Sequence, residues 1–394
     1  MSINSNFDYL FVFLLFSLIT SMVSSKNPVC PFDYAFHFGD GVTDIGNSVR
    51  VLPPGFTIPP DFWPYGITFP GAPNGRWSDG LVDFDFSEFR LIFVAPLMGF
   101  PHPVPYLSLR PDHKSDGEAV ILSDAGSPVL DRSFFARHRI KIPGYAVSFG
   151  EQMRWFKTYL DTQCSRNEDL GCRKAIVRNS LVMLGDIEAN DFGYALSQGK
   201  SIEEVLKFIP SVVRTVINMA REIIKMGAIR MVVIGSSPIG CYPYMLTARA
   251  TDDPTAYDDL GCLKDVNDVI RLKNDLMQHH VENMIKEFPN VDLSYSQFSN
   301  GVLQHLREIS QGPYGNTTLR SCCGIGGKYN YDAKRFCGHE GVPVCSNPND
   351  YVFWDGLHVT NAAGYRIAEI LLSGDIPTFN CTMPPPPPSE MATV

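Results

Sequence analysis

Several features are missing from this chain of 394 residues, and each absence excludes a class of protein. There is no long run of Lys or Arg, and 42 acidic residues outnumber 33 basic ones, which gives a net charge of −9. Nucleic-acid binders usually present a positive face to the phosphates, so DNA and RNA are not expected partners. Paired CxxC sequences, which would indicate structural zinc, do not occur. Since metal and nucleotide motifs are also absent, the sequence predicts no cofactor and no metal site.

Only one long apolar run is present, at residues 9–23, and it is shorter than the roughly 20 residues of a membrane-spanning helix. Its length, its N-terminal position and the small residues Val23 and Ser25 at a plausible cleavage site are typical of a signal peptide. We therefore expect residues 1–25 to be removed, leaving no stable membrane span. No Lys or Arg precedes the run, which instead follows Asp8, so a retained membrane anchor is the alternative.

The ten cysteines all follow this segment, and an even number in an exported chain predicts disulfide bonds. Close pairs such as Cys164 with Cys172 and Cys241 with Cys262 would close local loops, but the connectivity cannot be deduced from the sequence. Two N-x-S/T sequences, at Asn316 and Asn380, suit glycosylation in the same pathway. The sequence thus predicts a secreted glycoprotein, extracellular or vacuolar.

Short apolar segments alternate with longer amphipathic ones along the chain. The short runs predict strands at 34–38, 119–122, 181–184, 231–234 and 291–295, and the periodic segments predict helices at 150–160, 202–226, 266–288, 302–310 and 361–372. This alternation favours an α/β fold with a central parallel sheet, whose ligands bind at the carboxyl ends of the strands. We expect one domain over residues 26–382 and a disordered, proline-rich tail over 383–394. Loops 52–80, 101–116 and 242–260 would line the rim of the site.

Asp355 and His358 are the first candidates for chemistry, because they lie three residues apart just before a predicted helix with Thr360 or Asn361 as its cap. A carboxylate that folds back onto an imidazole fixes its tautomer and makes it a general base. Alone, the pair also fits a turn aspartate beside a surface histidine. Three further loops, at 38–48, 124–131 and 185–195, follow predicted strands, so all four loops are expected to converge on one rim.

Five blocks add a family resemblance. They are PYGITFPGAPNGRWSDG at 64–80, GSSPIGCYP at 235–243, GCLKDVND at 261–268, CCGIGGKYNYD at 322–332 and YVFWDGLHVT at 351–360. With these blocks, nearly the whole chain after the leader closely resembles the plant GDSL lipase/esterase family, a branch of the SGNH hydrolases. The resemblance implies a three-layer α/β/α, flavodoxin-like fold and ester hydrolysis by a serine nucleophile.

The resemblance also implies roles for individual residues. Asp355 and His358 hold the positions of the catalytic acid and base. The oxyanion hole would comprise the amide of Gly41, at the nucleophile position, with Gly126 and Asn190. The resemblance assigns Gly126 less directly than Asn190, because the sequence before Gly126 departs from the family's usual G-x-N-F-A.

The nucleophile position is the main departure. Where the family has F-G-D-S, this chain has Phe38-Gly39-Asp40-Gly41, and glycine has no oxygen with which to form an acyl-enzyme. Loss of one member of such a triad leaves roughly 10³–10⁴-fold catalysis over water. Candidates for a substitute hydroxyl are Thr43, Ser48 and Ser127. The missing side chain could also leave room for an ordered water beside His358.

Three hypotheses follow. In the first, the protein is hydrolytically inactive in the usual sense and binds a small ester or related metabolite, or assists another protein. In the second, His358 and Asp355 act as an acid–base pair on a plant ester or carbonyl metabolite, either by activating water or in lyase, isomerase or cyclase chemistry. In the third, a substitute nucleophile performs ordinary hydrolysis.

Overall fold

The computed structural model describes residues 31–82, 103–164, 169–185 and 189–374. The predicted leader, Cys30, Asn380, Cys381 and the predicted tail lie outside these residues. No helix in the described part of the chain has both the length and the apolar character needed to cross a membrane.

A six-stranded parallel sheet forms the centre of the described fold. Its strands are β1 (Tyr34–Phe38), β2 (Val104–Pro105), β3 (Ala119–Ile121), β4 (Ser180–Gly185), β5 (Arg230–Ile234) and β6 (Asp292–Ser296), in the order β2-β3-β1-β4-β5-β6. In this register Phe36 lies opposite Val120 on one side and Val182 on the other. The five predicted strands are confirmed to within one or two residues. The short strand β2 was missed, because two residues carry no periodicity.

Helices cover the sheet. They are α1 (Ser48–Val51), α2 (Arg132–Arg137), α3 (Phe149–Gln163), α4 (Asp169–Arg178), α5 (Ala189–Ser197), α6 (Ile202–Leu206), α7 (Ile209–Met226), α8 (Pro243–Ala248), α9 (Lys264–Glu287), α10 (Phe298–Ser310) and α11 (Asn361–Gly374). The single helix predicted over 202–226 is wrong, since it divides into α6 and α7. Pro210 lies in the first turn of α7, where its missing N–H costs no helical hydrogen bond.

Side chains of the central strands alternate between two buried layers, as the predicted three-layer arrangement requires. Phe36 and Phe38 belong to the larger hydrophobic cluster, in which both rings contact Phe156 of α3 edge to face. Ala35 and Met183 belong to a smaller cluster on the other side. Strands buried on both faces explain why their sequences are almost continuously apolar.

Four disulfides join the described cysteines. Cys164–Cys172 and Cys241–Cys262 are confirmed, and the other two are Cys322–Cys345 and Cys323–Cys337. The Cys322 and Cys323 amides donate to the carbonyl oxygens of Phe353 and Trp354, at 2.9 and 2.7 Å. The doubly crosslinked segment therefore supports the chain immediately before Asp355.

Buried His37 in β1 makes stability dependent on pH. It is only 2% exposed, its Nδ1 lies 3.0 Å from Ser123 Oγ, and burial lowers its pKa to about 3. The unfolded chain binds this proton near pH 6.5, so between these values the unfolded state holds more protons and the free energy of unfolding falls as pH falls.

We predict that His37→Gln reduces this pH dependence. Between pH 7 and pH 5 the wild type should lose about 2 kcal/mol more unfolding free energy than the variant, as measured by urea denaturation at each pH. Asp44, Asp79 and Asp124 have raised pKa values that act in the opposite direction. Their effect is common to both proteins and cancels in the comparison. Equal pH slopes would contradict the assignment to His37.

Candidate active site

The loops after β1 and β3 are joined by two buried side chains. Asp44 accepts hydrogen bonds from the amides of Gly46, Asn47 and Ser48 in its own loop, and from Ala125 across the gap at 3.0 Å. The side-chain amide of Asn47 donates to the carbonyl oxygens of Ile121 and Ser123, at 2.8 and 2.9 Å. These contacts place Gly41 and Gly126 beside each other on the rim of the sheet.

The imidazole of His358 lies directly against Gly41. A Cβ atom built on Gly41 would lie 3.0 Å from His358 Cδ2 and only 2.4 Å from its Nε2, and the second distance is too short for a real Cβ contact. The space of a side chain at position 41 is therefore already filled by the imidazole. Room for an ordered water beside His358 would lie in the adjoining cavity, which Gly41, Gly126 and His358 line together.

Asp355 holds the imidazole from the other side. Its Oδ2 lies 2.8 Å from His358 Nδ1, and its Oδ1 accepts from the amides of Leu357 and His358. The carboxylate is fully buried, whereas the histidine side chain is 12% exposed. Thr360 Oγ1 accepts from the amide of Ala363, which confirms Thr360 as the cap of α11. With Asp355 on Nδ1, the free ring nitrogen is Nε2, as a general base requires.

Tyr65 is a further member of this group that the sequence did not reveal. Its hydroxyl donates to Asp355 Oδ2 at 2.9 Å, although the two residues are 290 positions apart. Burial, followed by the charge of Asp355, raises the pKa of Tyr65 well above its ordinary value, so the phenol stays a neutral donor. Trp77 covers the imidazole, with ring centroids 5.1 Å apart.

The three groups predicted to form the oxyanion hole lie together, but they differ in whether their N–H groups are already hydrogen-bonded. Gly41, Gly126 and Asn190 all line the same cavity. In the described part of the chain, neither glycine amide donates to a protein acceptor, and Gly126 has the positive φ of 76° that a glycine tolerates. The side-chain amide of Asn190, however, already donates to Asp40 Oδ2 at 2.6 Å and to the Ser127 carbonyl oxygen at 3.1 Å. Asn190 could bind an oxyanion only by releasing one of these acceptors.

The three candidate substitute hydroxyls face elsewhere. Thr43 donates to Ser123 Oγ at 2.8 Å, Ser48 accepts from Trp77 Nε1 at 3.1 Å, and Ser127 accepts from Gln152 Nε2 at 3.1 Å. All three are buried, and none lines the cavity. This arrangement disfavours them as nucleophiles.

The cavity beside His358 has a volume of about 340 Å³, which is the size of a small-molecule site. Six aromatic residues line it: Trp77, Tyr145, Tyr194, Tyr242, Tyr244 and Tyr331. Loops 52–80 and 242–260 contribute to this lining, as predicted. The prediction for loop 101–116 is wrong: its described part contributes no lining residue and instead contains β2 at the sheet edge. Nothing in the local sequence marked Tyr145, Tyr194 or Tyr331 as lining residues.

We predict that Tyr65→Phe lowers the free energy of unfolding by about 1–3 kcal/mol, because a fully buried carboxylate loses a hydrogen bond. Chemical denaturation measures this loss. Tyr331→Phe is the matched control, since its hydroxyl bonds to none of the described residues. An equal loss in both variants would show that the contact with Asp355 is not what Tyr65 contributes.

Comparison with known proteins agrees with this geometry. Residues 36–371 match the GDSL-like lipase/acylhydrolase family. The chain is 39% identical to acetylajmalan esterase 2 of Rauvolfia serpentina, over 90% of this chain and 93% of that protein. It is 32% identical to sinapine esterase of Brassica napus, over 93% of each. A match that spans nearly the whole described fold, together with the parallel sheet and its covering helices, shows that the chain belongs to the GDSL lipase/esterase family and has its three-layer α/β/α fold.

Proposed function

We propose that this protein binds a small ester or a related metabolite in the cavity beside His358 and forms no acyl-enzyme. One observation carries the proposal: residue 41, at the position expected for the nucleophile, is a glycine, and His358 Nε2 lies 2.4 Å from where its Cβ would be. The position thus has no oxygen to attack a carbonyl, and a side chain there would require the imidazole to shift.

Two further features support binding. The cavity persists beside the glycine, with two backbone amides that have no protein acceptor in the described part of the chain. Such amides can donate to the carbonyl oxygen of an ester as they would to an oxyanion. The printed names of the relatives describe esterases, so an ester is the ligand class that similarity favours.

We predict that a fluorophosphonate leaves the wild-type mass unchanged, as measured by intact-protein mass spectrometry. Gly41→Ser should gain one adduct, slowly, because the serine must displace the imidazole to fit. Gly41→Ala is the matched control, since it introduces the same Cβ without the oxygen and should remain unlabelled.

An adduct on the wild-type chain, mapped to any Ser or Thr, would contradict the proposal and favour a substitute nucleophile. Labelling of Gly41→Ala would show that the displaced imidazole, rather than a new oxygen, creates the reactive site.

A second candidate function rests on the pairing of His358 with Asp355. Nδ1 lies 2.8 Å from the carboxylate, and the imidazole is one of the cavity-lining groups. A histidine oriented in this way can activate a water for direct attack on an ester, or move a proton on a carbonyl-bearing metabolite. This chemistry needs no covalent intermediate.

Turnover separates the two candidates. With a panel of acyl and aryl esters, the first candidate predicts no wild-type rate above the uncatalysed one. The second predicts turnover without a burst of product, lowered about 10²–10⁴-fold by His358→Ala. Calorimetry of ester binding to the same variant is the control, because loss of binding would make a loss of rate uninformative about base catalysis.

We also propose that the protein passes through the secretory pathway to the cell exterior or the vacuole. The four disulfides support this, because such bonds persist in oxidising compartments. Asn316 is exposed, as a glycosylation site must be.

A further inference from the structure

We propose that the ester this cavity accepts carries a positively charged nitrogen, either a protonated amine or a quaternary ammonium group. This inference rests on the proposed function and specifies its ligand class. Three properties of the cavity point to it: its aromatic walls, its carboxylate and its lack of cationic side chains other than His358 when protonated.

Aromatic faces are the first property. Trp77 and five tyrosines line the cavity, and the Trp77 ring stacks on that of Tyr145 with centroids 6.5 Å apart. Aromatic faces carry negative partial charge and attract cations within about 6 Å of the ring centre, and the attraction grows where water is excluded. Groups of such rings are the usual means of binding quaternary ammonium ions.

Charge is the second property. Asp40 lines the cavity, and Asp355 lies directly behind His358. No Lys or Arg occurs among the lining residues of the described chain, so no fixed positive charge faces a ligand there. Asp40 accepts from the Asn190 side chain, and its negative charge favours a cation over an anion beside it.

The tyrosines themselves add no charge. Burial raises the pKa of Tyr145, Tyr194, Tyr244 and Tyr331 above the ordinary value, and neighbouring aspartates raise it further in each case. These phenols therefore stay neutral and act as ring faces and hydroxyl donors. Asp40, which lines the cavity beside Tyr194 and Tyr244, would also stabilise a ligand cation.

Two probes of nearly equal shape test the inference. Benzoylcholine carries a quaternary ammonium group, and 3,3-dimethylbutyl benzoate replaces that nitrogen with carbon. We expect the wild type to bind benzoylcholine at least about tenfold more tightly, as measured by calorimetry at pH 7. Higher salt should reduce this advantage without affecting the neutral ester.

Each outcome has a distinct meaning. Equal affinity, or tighter binding of the neutral ester, would overturn the inference and leave the proposed ester binding intact. Failure of both esters to bind would contradict the proposed function as well, and the inference with it.

Variants locate the source of the preference. Tyr145→Leu removes a ring face and should lower affinity for benzoylcholine several-fold more than for the neutral ester, whereas Tyr145→Phe keeps the ring and should change neither. Asp40→Asn should reduce the cationic advantage several-fold. Asp252→Asn, an exposed carboxylate outside the cavity, is the control for the change in net charge. A preference unchanged by both Tyr145→Leu and Asp40→Asn would overturn the inference.

Discussion

The site depends on one buried carboxylate. Asp44 is fully buried and receives four backbone N–H groups, three from its own loop and one from Ala125 in the loop after β3. Burial raises the pKa of Asp44, and these donors oppose the rise. Because the same side chain fixes both loops, the amides of Gly41 and Gly126 keep their relative positions without any contribution from a side chain at position 41.

The two loops are thus held together without any side chain at position 41. Gln152 of α3 adds a second crosslink, since its amide group bonds both to the backbone of Gly39 and to Ser127. The opposite wall is held independently, because Asp355 is bonded to His358 and Tyr65, while the segment before it pairs with the crosslinked Cys322 and Cys323. None of these contacts uses a side chain at residue 41, so all of them are compatible with a glycine there.

Local patterns in the sequence predicted the features that depend on local structure. The strands follow from apolar runs, the cap at Thr360 from its place before a periodic segment, and the Cys164–Cys172 pair from close spacing. Contacts between distant segments were beyond such reasoning. Tyr65 donates a hydrogen bond to Asp355, 290 positions away, and the Asn190 side chain donates one to Asp40, 150 positions away. Whether an amide is free or already bonded depends on the folded geometry, which spacing along the chain does not encode.

The filled space at Gly41 has a consequence for the chemistry. A serine nucleophile needs an oxygen, and it also needs its base at hydrogen-bonding distance from that oxygen, about 2.6–3.2 Å. Here His358 Nε2 lies 2.4 Å from where a Cβ on residue 41 would be, so any side chain at this position would require the imidazole to shift. Serine hydrolysis would therefore require both an oxygen and a displaced His358, whose other nitrogen is held by a buried aspartate that also accepts from Tyr65.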